Sequence, residues 1–299
     1  MNRSGYVLRF TVLLTFLVAA IVAGIALGAV RVPLDEVFRA GVGGPVNAPY
    51  DVIIHEVRLP RTITAVLVGA GLGVTGLFMQ TLFRNPLADP YVLGISSGAS
   101  LGVAIVVLMV GVSPWAASFT AGAGLGGDLG MTVAAASGAA IVLGLVLLAG
   151  RFVASAHTLL LLGVMIGFLV SSLVTVLLSS ASPELVHQFV RWGFGSYRGV
   201  TWPNLTVLIP VLSCGLLLSP LLAKWLNALL LGDRYAATMG VPVTSARALI
   251  ILVSSVLAGG ATAFCGPIQF LGIAVPHVTR AMFASSDHRI LIPACALTG

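Results

Sequence analysis

The residues able to do chemistry are few and fall in three short runs. His277 and Arg280 are three apart, which places them on one helix face just after Pro276, near the end of an apolar stretch. A lone histidine inside a membrane segment is a candidate proton relay. Beside an arginine at a helix end, a structural hydrogen bond is the stronger reading. Gln80 lies late in another apolar stretch, where it either lines a pathway or bonds to a neighbouring backbone, and the sequence leaves both open. Arg58 and Arg61 put two guanidiniums at the start of that stretch, in the run Arg58-Leu59-Pro60-Arg61.

Two further runs shape the backbone rather than supply reactive groups. Asn85, Pro86, Leu87, Ala88, Asp89 and Pro90 must interrupt any helix, because each proline lacks an N–H and restricts the residue before it. At membrane depth such a break needs protein or a water-filled cavity to satisfy the backbone, and an ordinary turn between two spans is the plainer alternative. Leu231, Gly232 and Asp233 open a segment that ends at Gly240 and is too polar to span. Tyr235, Ala236 and Met239 are spaced to share one face of a short helix there, and Asp233 at its start suits the helix dipole. Such a helix fits docking to a soluble partner, or a simple interfacial connector.

Covalent chemistry finds no support. There is no phosphate-binding loop of the form G-x-x-x-x-G-K-[ST], and the only lysine, Lys224, follows Ala223, so the chain is not itself a P-loop ATPase. No H-E-x-x-H or G-x-S-x-G occurs. Cys214, Cys265 and Cys295 are far apart and read as small hydrophobes rather than as a disulfide or zinc set. No metal or cofactor is expected. All nine acidic residues fall in connectors or near span ends, which disfavours an ion-gradient-driven secondary carrier, the alternative function.

The elements that must hold these residues are membrane helices. Hydrophobic residues make up 58% of the chain and charged ones 8%, against about a quarter charged in a soluble domain. Spans are predicted at Phe10–Val30, Thr62–Leu82, Tyr91–Gly111, Met131–Gly150, Thr158–Ser179, Leu205–Leu222, Ser245–Phe264 and Ile268–Phe283, with a ninth beginning near Ile290. The fold class is therefore all-α, a polytopic transmembrane helical bundle of eight to nine spans. Gly69 and Gly73, like Gly163 and Gly167, are four apart and suit close helix packing. Val66, Leu67, Gly69, Gly76 and Pro86 recur as Val256, Leu257, Gly259, Gly266 and Pro276, a weak internal repeat.

The net charge of +6 sits in short connectors without a basic stripe or interleaved aromatics, so nucleic acid is excluded as a partner. With the N-terminus cytoplasmic, nine Lys and Arg fall inside and six outside, a mild bias for that orientation. The outer arginines then need a separate explanation. Trp192, Tyr197 and Trp202 suit an interfacial aromatic belt, with lipid as the surrounding solvent.

At Arg58–Arg61, Arg84–Pro90, Leu231–Gly240 and Phe270-Leu-Gly with Pro276, His277 and Arg280, the chain closely resembles the FecCD-type permeases of bacterial ABC importers. That family moves ferric siderophores, haem and vitamin B12. The resemblance implies a bacterial inner-membrane protein and a dimer of ten-helix subunits, homo- or heteromeric. It also implies two cytoplasmic ABC ATPase subunits and an extracytoplasmic substrate-binding protein. Arg58 and Arg61 fall where the family presents arginines to carboxylates on the binding protein; pairing with Glu56 or Asp51 is the structural alternative. Leu231, Gly232, Asp233, Ala236, Met239 and Gly240 fall on the family's ATPase-coupling helix. Gln80, Asn85, Pro86, Pro90, Pro276, His277 and Arg280 are expected to serve the pathway or its architecture. The family continues beyond Asp287-His288-Arg289, so 1–299 reads as one permease domain short of its last helices.

Overall fold

The computed structural model describes residues 3–112, 125–150, 152–153 and 155–299. Among them there is no strand, and the chain forms an all-α polytopic bundle. Helix α1 spans Arg3–Ala26 and α2 spans Leu34–Gly41. A short α3, Ala48–Val52, runs through a wide π turn at Ile53–Arg58 into α4, Leu59–Leu82. The rest are α5 (Ile95–Val112), α6 (Leu125–Gly150), α7 (Ala156–Ser179), α8 (Pro183–Gly193), α9 (Trp202–Leu218), α10 (Ala223–Leu230), α11 (Asp233–Thr238), α12 (Val243–Cys265), α13 (Leu271–Phe283) and α14 (His288–Thr298).

Among the described residues six helical runs are long and apolar enough to cross a membrane: Gly5–Ala26, Ala48–Leu82, Gly130–Gly150, Ala156–Ser179, Trp202–Leu230 and Val243–Cys265. Their burial differs sharply. The second and last are 72% and 67% buried, the first only 11%, so α4 and α12 form the centre and α1 the periphery. α13 and α14 close the bundle against α4, and α5 packs on α6 and α7. A helix uniformly apolar around its circumference needs lipid or protein on every side, and that is how α1, α6 and α7 are built.

Two expected spans take other forms. The segment predicted from Ile268 is helical only from Leu271, and its 13 residues cover about 20 Å, short of a bilayer core of about 30 Å. The segment predicted from Tyr91 starts with a 3-10 turn, Pro90–Leu93, and becomes α-helical at Ile95. Both departures follow a proline or glycine break that a hydropathy window averages away.

The small-residue pairs do pack closely. A Cβ on Gly163 or Gly167 would press on Leu93 or Gly94, and one on Gly73 on Val275. Gly76 is tighter still, since a Cβ there would collide with the carbonyl oxygen of Gly272. Pro276 deprives that same carbonyl of its helical donor, so the approach occurs where α13 is already open. The repeat is less regular than its sequence alignment. Its first members lie on α4 and α12, which pack together, but Gly76 is inside a helix where Gly266 follows one.

Candidate functional site

The bundle has two ends, named here for Arg61 and Asp233. At the Arg61 end the two arginines behave differently. Arg58 is only 7% exposed and donates to the carbonyl oxygens of Ile25 and Val30, at and beyond the end of α1. The Ile25 carbonyl is one that the helix terminus leaves without a partner, and that of Val30 lies in the loop just after it. The π turn widens the backbone and swings this side chain inward. Arg58 thus directs its donors into the fold, and Arg61 is the more accessible of the two arginines. Neither arginine pairs with Glu56 or Asp51 among the described residues; Asp51 instead meets His55 at 2.8 Å.

Arg61 is half-buried, and its Nε has no hydrogen-bond partner. It lines a cavity of about 690 Å³ with Gly193 through Arg198, Pro267, Ile268 and Gln269. A second cavity of about 530 Å³ adjoins it, lined by Thr132, His187, Gln188, Arg191, Trp192 and Asn204 among others, and both include Ser196. The wall between them is a backbone strap. The Ser196 N–H donates to the Cys265 carbonyl at 2.6 Å, Gly195 abuts the Pro267 carbonyl, and Gly266 abuts that of Trp192. Gly195 and Gly266 have φ of 67° and 71°, which side chains rarely adopt.

Between the ends, two interrupted helices meet. Asn85 accepts from the Leu87 N–H at 3.0 Å, and Asp89 from that of Tyr91 at 2.8 Å, which shapes the chain between α4 and α5. Pro86 and Leu87 are exposed, whereas Ala88, Pro90 and Leu93 are buried, so the segment turns at the surface and re-enters the bundle. Pro90 rests on Gly272 at the start of α13. The Tyr91 hydroxyl accepts from the Ile268 N–H at 3.3 Å and from the Thr262 hydroxyl at 3.4 Å. Gln80 donates to the Ile273 carbonyl at 3.4 Å and accepts from Arg280 at 2.6 Å, so it bonds to a neighbouring backbone. His277 sits on the exposed side of α13, its Nδ1 3.0 Å from the Ile273 carbonyl. His277 and Arg280 share a helix without touching each other's partners, except through that carbonyl and Gln80.

At the Asp233 end, Gly232 adopts a φ of 105° and Asp233 begins α11, paired with Arg247 of α12. The two Leu231-flanking turns leave Leu231, Tyr235 and Met239 exposed by 63%, 54% and 60%. Ala236 is fully buried, so the expected common face of Tyr235, Ala236 and Met239 is divided: Ala236 anchors and the other two project. Gly240, at φ 80°, ends the helix, and the Val241 N–H returns to the Ala236 carbonyl at 3.0 Å. A cavity of about 570 Å³ lies alongside, lined by Arg84, Leu231 through Tyr235, and Thr238.

One cluster here escaped the sequence reading. Asn227 of α10 donates to Asp287 at 2.7 Å and accepts from the backbone N–H of His288 at 2.9 Å. The ring of buried His288 bridges Asn227 at 2.7 Å to Thr81 of α4 at 2.8 Å. Partial burial alone would raise the Asp287 pKa, but the Arg289 N–H, the Asn227 amide and nearby positive charge outweigh it and hold it below the usual value. The signal available was Asp287 itself, an N-cap residue opening an apolar run. Among the described residues no cluster of His, Cys, Asp or Glu could hold a metal ion. Cys265 and Cys295 are buried as expected, while Cys214 is exposed on α9.

Residues 16–299 match the FecCD transport family. The chain belongs to that family. Its FecCD relatives include the uncharacterized ABC transporter permease protein YvrB of Bacillus subtilis, 34% identical over 310 residues, covering 100% of this chain and 83% of that protein. The vitamin B12 import system permease protein BtuC of Klebsiella pneumoniae is 36% identical over 257 residues, covering 85% and 72%. A solved structure described as an inward-facing conformation of a metal-chelate type ABC transporter superposes with a TM-score of 0.81 at 28% identity, covering 97% of this chain and 85% of that one. This FecCD chain is thus an ABC importer permease and a multi-pass bacterial inner-membrane protein. Such permeases work with ATPase subunits, which carry the hydrolysis, and with a binding protein.

Proposed function

We propose that this permease conducts a ferric siderophore, haem or cobalamin into the cytoplasm. In this reading the N-terminus is cytoplasmic, the Arg61 end faces outward to a binding protein, and the Asp233 end seats two ATPase subunits. A second permease subunit, identical or paralogous, completes the channel. The observation that carries the reading is α11: a short helix anchored by buried Ala236 and the Asp233–Arg247 pair, with Tyr235 and Met239 projecting beside it. A helix held from below with an aromatic and a methionine above is built to be gripped by a soluble partner. Gly232 and Gly240 bound it, so its motion passes into α10 and α12.

The remaining residues support translocation without covalent chemistry. Arg61 supplies outward charge that orients a binding protein bearing carboxylates. The junction of Asn85, Pro86 and Pro90 with Pro276, Gln80 and Arg280 sets the starts of α5 and α13 against each other inside the bundle. Closure of the ATPases then biases those ends between two arrangements, which is alternating access. The test is uptake of each chelate by vesicles holding this chain, its ATPase and its binding protein. Uptake requires ATP on this account; accumulation under an ion gradient without ATP contradicts it and favours a secondary carrier.

A further inference from the structure

Helix α2, Leu34–Gly41, carries apolar surface that its contacts within the fold do not cover. At about 100° per residue, its side chains fall into three sectors about 120° apart. Glu36 and Val37 form the inner sector and are buried. Glu36 accepts from the Asn47 backbone N–H at 3.2 Å and from the Asn47 side-chain amide. Val37 joins Ile25, Ala26, Val32 and Ile54 in a small core of their own. Asp35 and Arg39 make the second sector, exposed and 3.8 Å apart. Leu34, Phe38 and Gly41 make the third, and all three are exposed. The buried sector fixes the rotation of the helix, so the apolar one cannot turn inward.

The height of α2 is set by α1. That helix has 24 residues and is about 36 Å long, a little more than a bilayer core of about 30 Å, so its end at Ala26 lies at the bilayer boundary. The chain does not climb away from there. The Val32 N–H donates back to the Ala26 carbonyl at 3.0 Å, and Arg58 holds the carbonyls of Ile25 and Val30. α2 therefore starts where α1 stops. The Trp202 indole donates to the His55 carbonyl, in the neighbouring π turn, at 2.8 Å, and tryptophan concentrates where acyl chains meet headgroups. The apolar run of α1 is only 11% buried, and exposed Leu27 and Val30 continue its outer surface toward Leu34.

We propose that α2 is an interfacial helix: Leu34 and Phe38 sit among the acyl chains of the leaflet at the Arg61 end, with Asp35 and Arg39 at the headgroups and Val37 against the fold. The exposed stripe is covered by lipid, continuous with the lipid around α1. A soluble partner that docks and leaves would return both side chains to water in every cycle, against the hydrophobic effect. Asp35 and Arg39 offset each other in charge, so the attachment is hydrophobic and needs no anionic lipid. α3 and the π turn follow α2 in the chain, so the bilayer holds the segment leading to Arg61 at a fixed height. The proposal does not depend on the cargo or on the direction of transport.

The experiment places a nitroxide label at one position at a time, through Leu34→Cys, Phe38→Cys, Asp35→Cys or Arg39→Cys. A Cys214→Ser background removes the exposed native cysteine. All four labelled positions are exposed, so the labels leave the fold intact. The chain, assembled with its ATPase subunits, is held in phosphatidylcholine nanodiscs with and without phosphatidylglycerol. Collisions with oxygen, which partitions into acyl chains, are compared with collisions with a water-soluble nickel chelate. The oxygen-to-nickel ratio is expected to be about 10-fold higher at positions 34 and 38 than at 35 and 39, in both lipid mixtures and with or without the binding protein. Equal ratios at the four positions put α2 in water and overturn the proposal. Shielding of position 38 from both reagents overturns it as well, because a protein then covers the stripe: a second permease subunit if the shielding is constant, the binding protein if it appears only on docking. A ratio at position 38 that rises only with phosphatidylglycerol contradicts hydrophobic attachment.

Discussion

Arg280 of α13 donates to the side-chain oxygen of Gln80 on α4 at 2.6 Å, and the same Gln80 amide reaches back to the Ile273 carbonyl. One neutral side chain therefore satisfies a half-buried guanidinium and ties the short helix α13 to the central helix of the bundle. The carbonyl it contacts lies one residue after Gly272, whose own carbonyl packs against Gly76 of α4.

Replacing Gln80 with leucine removes the acceptor and leaves the Arg280 charge partly buried without it. The expected loss is about 1–3 kcal/mol of stability, the usual penalty for an orphaned polar group. Unfolding in graded SDS mixtures measures it. A Gln80→Leu curve that overlays the wild type would mean that Arg280 finds solvent or another partner.

Arg58 and Arg61 should separate by assay. Arg58→Ala strands the Ile25 and Val30 carbonyls and is expected to cost about 2 kcal/mol or more in the same unfolding measurement. Arg61→Glu should leave stability within about 0.5 kcal/mol, since it breaks no described hydrogen bond, yet weaken capture of the binding protein on a sensor surface about 10-fold. The opposite pattern would return the docking role to Arg58.

Tyr235 and Met239 should behave as contact residues and Ala236 as an anchor. Tyr235→Ser with Met239→Ser is expected to reduce co-purification of the ATPase by about 10-fold or more while the permease remains folded. Ala236→Glu buries a charge at a fully enclosed position and should abolish folded protein instead. Retention of the ATPase by the double serine variant, seen on size-exclusion chromatography, would remove α11 from the docking surface.

The Asp287 carboxyl has a pKa below its ordinary value of 3.8, so the folded state favours the charged form. Its contribution is fully present above that ordinary value and is lost as pH falls through the lower, folded one. Acid titration of the purified protein, followed by circular dichroism, should show stability declining below about pH 4, with a shallower decline in Asp287→Asn. Identical acid profiles would detach Asp287 from the cluster that joins α10 to α4 and α14.

The long spans were legible because apolar runs and their polar connectors are local properties of the chain. α4 and α12 could be placed on sight, though not their central position, which depends on what packs around them. The direction of Arg58 was not legible for a related reason: it lies in a π turn and bonds to carbonyls some thirty residues earlier, neither of which sequence spacing encodes. Ala236 was grouped with Tyr235 and Met239 because spacing gives a face but not which side of it is covered. The half-length of α13 was hidden by continuous hydropathy from Ile268, although Gly266 and Pro267 mark a helix break just before it. His288 and Asn227 are sixty-one residues apart and gave no signal as a pair.

The central claim is that energy enters from a separate subunit at the Asp233 end and moves a chelate inward from the Arg61 end. The most direct measurement is chelate accumulation in proteoliposomes containing this chain, its binding protein and either an active ATPase or one disabled for hydrolysis. Accumulation with the active ATPase alone, unrestored by an imposed proton or sodium gradient in the disabled preparation, is the predicted result. Gradient-driven accumulation with the disabled ATPase would contradict the account.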